Sequence, residues 1–287
     1  MKWFVTGASG MLGHRLVERL TAAGHEVVSA PRQQLDITVA PAVDQALAAA
    51  GADVVVNAAA FTAVDAAEAD EHGAIAVNGT GAGNVAQAAA KHGAAVLQIS
   101  TDYVFDGRAS IPYDEAAPTA PVSAYGRSKA AGEAAVLESG ARAAVVRTAW
   151  LYGPGGGNFV ATMLRLERER EVVQVVDDQV GQPTSTDVLI DALLALAPGV
   201  VDGSMVGCYH VTCRGQTSWH GLASEVFRLA GADAARVQPT TSAAFVRPAP
   251  RPAYSVLSHR RWIEAGLPDH AMWTDALRAM FPLLSSS

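Results

Sequence analysis

Apolar residues in this chain gather in short runs set apart by longer stretches of mixed character. Residues 2–6, 26–30, 53–57, 94–100 and 142–148 read as strands, and most carry apolar side chains at consecutive positions rather than at alternate ones. A strand apolar on both faces is buried on both faces, as in a parallel sheet sandwiched by helices. Between these runs the spacing turns helical. A helix is expected over residues 11–23, closed by Gly24, a second over 39–50, and a long one over 71–92 that stops at Gly93. Ser123 can cap another that runs to about Glu138. Strands alternating with helices imply an α/β fold of the Rossmann type, a doubly wound parallel sheet. After Trp150 the rhythm loosens. Helices are expected over 158–170, 187–196 and 218–230, extended segments over 172–176 and 209–212, and a last helix ending near Met280. The division read from this is a sheet domain over residues 1–150 and a smaller C-terminal α/β lobe over 151–287, with segments free to interleave. The tail from Ser285 to Ser287 is expected to fray.

Composition narrows the function without naming it. Half of the 287 residues are hydrophobic and 17% are charged, enough to fill a sizeable core and too apolar for disorder. The net charge is −7 and no run of Lys and Arg stands out, so nucleic acid is not an expected partner. No apolar stretch approaches the roughly 18 residues of a membrane span, and residues 1–6 lack a signal peptide's apolar segment. Cys208 and Cys213 are too few for a disulfide scaffold. The expectation is a cytoplasmic protein with reduced thiols. The histidines show no ligand spacing, and no metal site is read from the residues.

Chemistry begins with Gly7-Ala8-Ser9-Gly10-Met11-Leu12-Gly13, between a strand and a helix. Glycines there permit a tight turn and a close backbone approach to a pyrophosphate, while the helix start offers free N–H groups. A purely structural turn is the competing reading. The second strand ends in Ser29-Ala30-Pro31-Arg32. It lacks the carboxylate that an NAD site uses on the ribose, and Arg32 could meet a 2′-phosphate, so NADPH is expected over NADH. Asp36 and Ile37 could border the adenine. Ala58, Ala59, Ala60, Phe61 and Thr62, past the third strand, are placed to line the middle of a bound cofactor.

Tyr125 and Lys129 stand four apart on the helix that Ser123 opens, and so share one face. An ammonium beside a phenol favours the phenolate, which can make a tyrosine a proton donor or acceptor near neutral pH. Thr101 closes a strand and is followed by Asp102, which could equally be a turn cap. Trp150, just past a strand, could stack on a sugar or base or simply fill the core. Arg251, flanked by prolines, is a stiffened candidate anion anchor.

These motifs together resemble the extended short-chain dehydrogenase/reductases, over essentially the whole length. The resemblance rests on the glycine loop, on Leu35-Asp36-Ile37-Thr38, on Asn57 to Asp65, and on Ser100-Thr101-Asp102-Tyr103-Val104-Phe105-Asp106-Gly107. It continues through Tyr125 to Lys129, Arg147 to Gly153, Asn158-Phe159, Asp177-Asp178-Gln179 and Arg251 to Leu257. The resemblance implies a catalytic trio at Thr101, Tyr125 and Lys129. It implies contacts to a sugar nucleotide from Asp102, Val104, Trp150 and Asn158, and to its diphosphate from Arg251. The implied reaction is reduction of the C4 ketone of a nucleotide-linked 6-deoxyhexose, with Tyr125 as general acid and Lys129 lowering its pKa. Pro31, where many relatives carry an acid, puts their tolerance of NADH in doubt here. Some members are dimers with an interface Mg²⁺ held by glutamates; Asp187 lies in one plausible region, and the chain is expected as a monomer or homodimer. Two rival readings stay open. One is a dehydratase or epimerase, although no Glu follows Thr101 and Asp102; the other is a non-catalytic nucleotide-binding subunit.

Overall fold

A computed structural model describes residues 1–285; Ser286 and Ser287, where most of the expected frayed tail falls, lie outside the described residues. The first half alternates as its apolar runs require: β1 (Lys2–Thr6), α1 (Met11–Ala22), β2 (Glu26–Ala30), α2 (Ala40–Ala50) and β3 (Val54–Asn57). Two short helices follow, α3 (Val64–Ala69) and α4 (Glu71–Ile75), then α5 (Ala82–His92), β4 (Ala95–Thr101), α6 (Ala124–Leu137) and β5 (Ala143–Thr148). The second half adds β6 (Leu151–Tyr152), α7 (Phe159–Glu169), β7 (Val173–Val176), β8 (Val180–Gly181), β9 (Thr184–Ser185) and α8 (Thr186–Asp202). It ends with β10 (Gly207–His210), β11 (Thr217–Ser218), α9 (Trp219–Leu229), β12 (Val237–Thr240), α10 (Arg260–Glu264) and α11 (Trp273–Ser285).

Six strands form one parallel sheet in the order β2-β1-β3-β4-β5-β10. The order reverses direction between β1 and β3, the switch point at which open α/β sheets bind ligands. Two apolar layers cover the sheet. Leu12, Leu16 and Leu20 of α1 and Leu189, Leu193 and Leu196 of α8 fill one face, and Val43, Leu47, Val85 and Val136 fill the other. All four residues of β3 are buried, which is why its sequence is an uninterrupted apolar run ending in Asn57. A third cluster, around Met163, Val226, Phe227, Leu277 and Met280, is the core of the C-terminal lobe.

The interleaving allowed for across Trp150 is extensive. Helix α8 lies on the sheet beside α1, and β10 pairs with β5 as the sixth strand. The edge strand spans Gly207–His210, two residues earlier than the apolar pattern indicated. Helix α8 also runs on through Pro198 to Asp202, past the expected end at 196.

The expected long helix over 71–92 is interrupted. Residues Ala76–Gly81 form a π-helical turn between α4 and α5. Close packing against α6 accounts for it: a Cβ on Gly132 would lie 2.0 Å from the Asn78 carbonyl oxygen. The wider turn also presents Asn78, whose side chain donates to the Phe61 carbonyl and Ser128 Oγ and accepts from the Phe61 N–H. It thereby fixes the segment that follows β3 against α6.

Candidate active site

Buried side chains tie the carboxyl ends of β1 and β3 to each other and to the middle of β4. Thr6 Oγ1 donates to Asn57 Oδ1 at 2.6 Å, and Asn57 Nδ2 donates to Gln98 Oε1 at 2.7 Å. Above this rung opens a crevice of about 950 Å³, the size range of sites that enclose small ligands and cofactors. Gly7, Gly10, Met11, Leu12 and Gly13 form one wall. Gly7 has φ +62°, and a Cβ on it would stand 2.7 Å from the Ala59 nitrogen; one on Gly13 would stand 2.3 Å from the Gly7 oxygen. No side chain caps the start of α1. Its first N–H groups therefore face the crevice mouth without a protein partner, as a phosphate cradle requires. These observations fit a dinucleotide.

Arg32, Asp36 and Ile37 lie at the same end, and Ala58, Ala59, Ala60, Phe61 and Thr62 along the middle. Asp36 is committed locally. Its carboxylate accepts from the Thr38 hydroxyl and N–H, which hold its pKa below the usual range.

At the far end, Thr101, Asp102, Tyr125, Lys129 and Trp150 meet. Ser123 Oγ accepts from the Gly126 N–H and starts α6 one residue before Ala124, so Tyr125 enters in the first turn and Lys129 one turn later. The Tyr125 hydroxyl faces Thr101, whose hydroxyl favours the ionised phenol. Thr101 Oγ1 donates to Asp102 Oδ1 at 3.0 Å and accepts from the Tyr103 N–H. Lys129 Nζ donates to the Ile99 carbonyl at 2.7 Å. Burial dominates the protonation of all three ionisable groups. Tyr125 is pushed up to about 12, opposed by its contact with Thr101. Lys129 is pulled down to about 8, opposed by the Glu133 charge. Asp102 is raised to about 6, and although Ser255 lies near its carboxyl, Oδ2 makes no hydrogen bond of normal geometry. The expectation that Lys129 lowers the Tyr125 pKa is corrected here. Loss of water around the phenol outweighs any help from an ammonium whose hydrogen bond goes to the Ile99 carbonyl.

Three expected contact residues stand apart from the crevice wall. Val104 is fully buried with Phe105 and Leu257. Asn158 is the N-cap of α7: its Oδ1 accepts from the Ala161 N–H, and its Nδ2 donates to the Gly153 and Gly156 carbonyls. Arg251 pairs with Asp65 at 2.9 Å and sits over the Tyr103 ring, at the rim. Asp187, the region suggested for an interface magnesium, holds an ion pair instead, with both carboxylate oxygens accepting from Arg15. Among the described residues no group of three or more His, Cys, Asp or Glu could hold a metal ion, and no helix is long and apolar enough to cross a membrane.

Sequence reasoning missed Tyr103, whose ring meets Tyr125 edge-on at 5.7 Å, and Trp219, which lines the crevice from the C-terminal lobe. Tyr103 lay inside a motif already quoted. Trp219 carried no local signal, since it reaches the site only through the packing of the lobe.

A glycine cradle at the switch point of a doubly wound sheet, faced by a helix that carries a half-buried Tyr125 and a buried Lys129, defines a Rossmann-type enzyme of the extended short-chain dehydrogenase/reductase class. The family model described as RmlD substrate binding domain matches residues 1–285, and the chain belongs to that family. It is 53% identical over 285 residues to a dTDP-4-dehydrorhamnose reductase of Streptomyces griseus, covering 99% of this chain and 94% of that protein. It is 45% identical over 286 residues to a dTDP-4-keto-6-deoxy-D-glucose reductase of Streptomyces niveus, covering 99% and 98%. The crystal structure of a dTDP-4-dehydrorhamnose reductase from Bacillus anthracis in complex with NADP superposes with a TM-score of 0.93 at 37% identity, covering 98% of each chain.

Proposed function

We propose that this protein reduces the C4 ketone of dTDP-4-dehydro-L-rhamnose to dTDP-L-rhamnose with NADPH. One observation carries the chemistry: a protonated phenol, a threonine hydroxyl and a lysine line the far end of a dinucleotide-sized crevice. Bound NADPH supplies a hydride to the carbonyl carbon. Tyr125, with its pKa near 12, holds its proton at neutral pH and releases it to the oxygen on which negative charge develops. Thr101, whose hydroxyl donates to Asp102 Oδ1 in the free protein, turns that proton to the same oxygen and polarises it. Lys129 holds the cofactor's ribose and adds positive charge beside the reacting oxygen. The uncapped start of α1 binds the pyrophosphate. Arg32 and the absence of an acid at Pro31 favour the 2′-phosphate, hence NADPH over NADH. The NADP in the Bacillus anthracis structure supports that preference.

A second reading keeps the chemistry and changes the sugar. The Streptomyces niveus relative carries the name of a different 4-keto-6-deoxy sugar nucleotide reductase. We take the rhamnose precursor because the Streptomyces griseus relative is more similar. Cytoplasmic residence, as a monomer or homodimer, belongs to the same proposal.

The test is to incubate the pure protein with NADPH and dTDP-4-dehydro-L-rhamnose, formed in situ by the preceding epimerase, and to identify the product by NMR. One NADPH consumed per dTDP-L-rhamnose formed is expected. Turnover without net NADPH consumption would make the protein an epimerase, and no turnover with a tightly held partner protein would make it a binding subunit.

A further inference from the structure

Trp150 is the single non-glycine residue among the described residues in the left-handed region, with φ +46°. Such a conformation costs energy, is held by its surroundings, and gathers at functional sites. The residue follows Thr148 by two positions, and Thr148 is in register with Thr101 across β4 and β5. The Trp150 indole lies against that of Trp219, with ring centroids 3.5 Å apart and planes within 5°. Aromatic pairs left to themselves prefer offset or edge-on arrangements with wider centroid spacing. Both the backbone of Trp150 and its stack are therefore imposed.

The imposing element is a ribbon of the C-terminal lobe. Strand β11 pairs with β8, Thr217 with Gly181 and Ser218 with Val180, and leads directly into Trp219. Trp219 Nε1 donates to Gln179 Oε1 at 3.1 Å, and Phe159 packs on the same indole. On the β8 side, a Cβ on Gly181 would come within 2.5 Å of Trp150 Cε2. The two strands thus meet Trp150 through one large ring and one missing side chain.

Resting on the reductase reading, we propose that Trp219 is a positioning residue: stacked on Trp150 and anchored by the β8–β11 ribbon, it fixes the indole that borders the sugar end of the crevice, and so sets affinity for the sugar nucleotide. Gly181 serves the same purpose by leaving room for that ring. Neither residue belongs to the glycine cradle for the dinucleotide's pyrophosphate, which lies at the other end.

Trp219→Leu, Trp219→Phe and Gly181→Ala separate this role from ordinary packing. The readouts are calorimetric binding of dTDP-L-rhamnose, calorimetric binding of NADPH, and the paired far-UV circular dichroism bands that two closely stacked indoles produce. Trp219→Leu should lose the paired bands and bind dTDP-L-rhamnose about tenfold more weakly, with NADPH affinity unchanged. Trp219→Phe, which keeps a ring on Trp150, should retain most of the affinity. Gly181→Ala, which displaces Trp150 with Trp219 intact, should reproduce the tenfold loss, and it decides the matter if Trp219→Leu does not fold. Wild-type affinity for dTDP-L-rhamnose in Gly181→Ala or in folded Trp219→Leu overturns the proposal while leaving the reductase reading in place. Failure of the wild type to bind dTDP-L-rhamnose overturns both.

Discussion

Burial moves Tyr125, Lys129 and Asp102 toward their neutral forms, and each shift has its own consequence. Tyr125 retains its proton far above neutrality, so it is equipped to give that proton up when an oxyanion forms. Tyr125→Phe should bind NADPH normally and lose about 10²–10⁴-fold in kcat, measured by NADPH oxidation at saturating substrate. Lys129 is charged below about pH 8 and loses its charge above. The kcat/KM profile, which reports the free enzyme, should therefore fall on an alkaline limb near that value. Asp102 has a folded pKa near 6, above the value near 4 of an unfolded chain. The native state holds this proton more tightly, so stability declines as pH rises from about 4 to about 6, and the full cost is present above that window. Asp102→Asn should remove up to about 3 kcal/mol of that cost at neutral pH. Its thermal midpoint should exceed the wild type's at pH ~8, with the difference shrinking toward pH ~4, while sugar-nucleotide turnover drops. The i, i+4 spacing of Tyr125 and Lys129 was legible in the sequence and showed that they share a face. How deeply that face is buried, and that Lys129 is engaged by the Ile99 carbonyl, was not.

Helix α6 is seated on the sheet by a buried ion pair one turn beyond Lys129. Glu133 accepts from Arg147 at 2.7 and 2.9 Å and from Ser100 Oγ at 2.5 Å. Those partners sit on β5 and β4, one residue before Thr148 and Thr101 respectively. One carboxylate thus locks the register of α6, β4 and β5, which bear the candidate trio and lead toward Trp150. Glu133→Gln leaves a guanidinium buried without its counter-charge and should cost about 3–5 kcal/mol, read from urea unfolding. The Glu133 charge also opposes the downward shift of Lys129, so in folded enzyme the alkaline limb should move to lower pH. At this scale the regular elements could be read from periodicity and caps, since Ser123 begins its helix as expected. The π turn at Ala76–Gly81 could not, because it answers to the approach of Gly132 on another helix. Asn158 shows two signals in one residue. It is a cap residue immediately before an apolar-periodic stretch, a sufficient local reason for its presence, whereas the resemblance suggested a ligand contact.

Across the whole molecule, the cofactor cradle and the sugar end are built from different parts of the chain and meet in the crevice. A dinucleotide that binds the folded state should raise the melting temperature, by about 2.7 kcal/mol of added stability at a hundred times its dissociation constant. The shift should be larger with NADPH than with NADH, and Arg32→Ala should remove most of that difference. The fold class was open to sequence reading because parallel strands buried on both faces write themselves as solid apolar runs. The position of residues 186–210 was not, since nothing local says that a helix and strand from the second half return to the first.

That return limits how the protein can be taken apart. A chimera cut at Trp150, with everything downstream taken from a cousin of different sugar preference, would import a foreign β10 and α8 along with the new specificity. The recipient's β5 would then have to zip to an edge it did not evolve beside, and Arg15 and Arg19 would depend on the donor for the partners that Asp187 and Asp191 now supply. Grafts that splice in residues 151–185 and the chain after 210, and leave the stretch between untouched, keep the sheet whole.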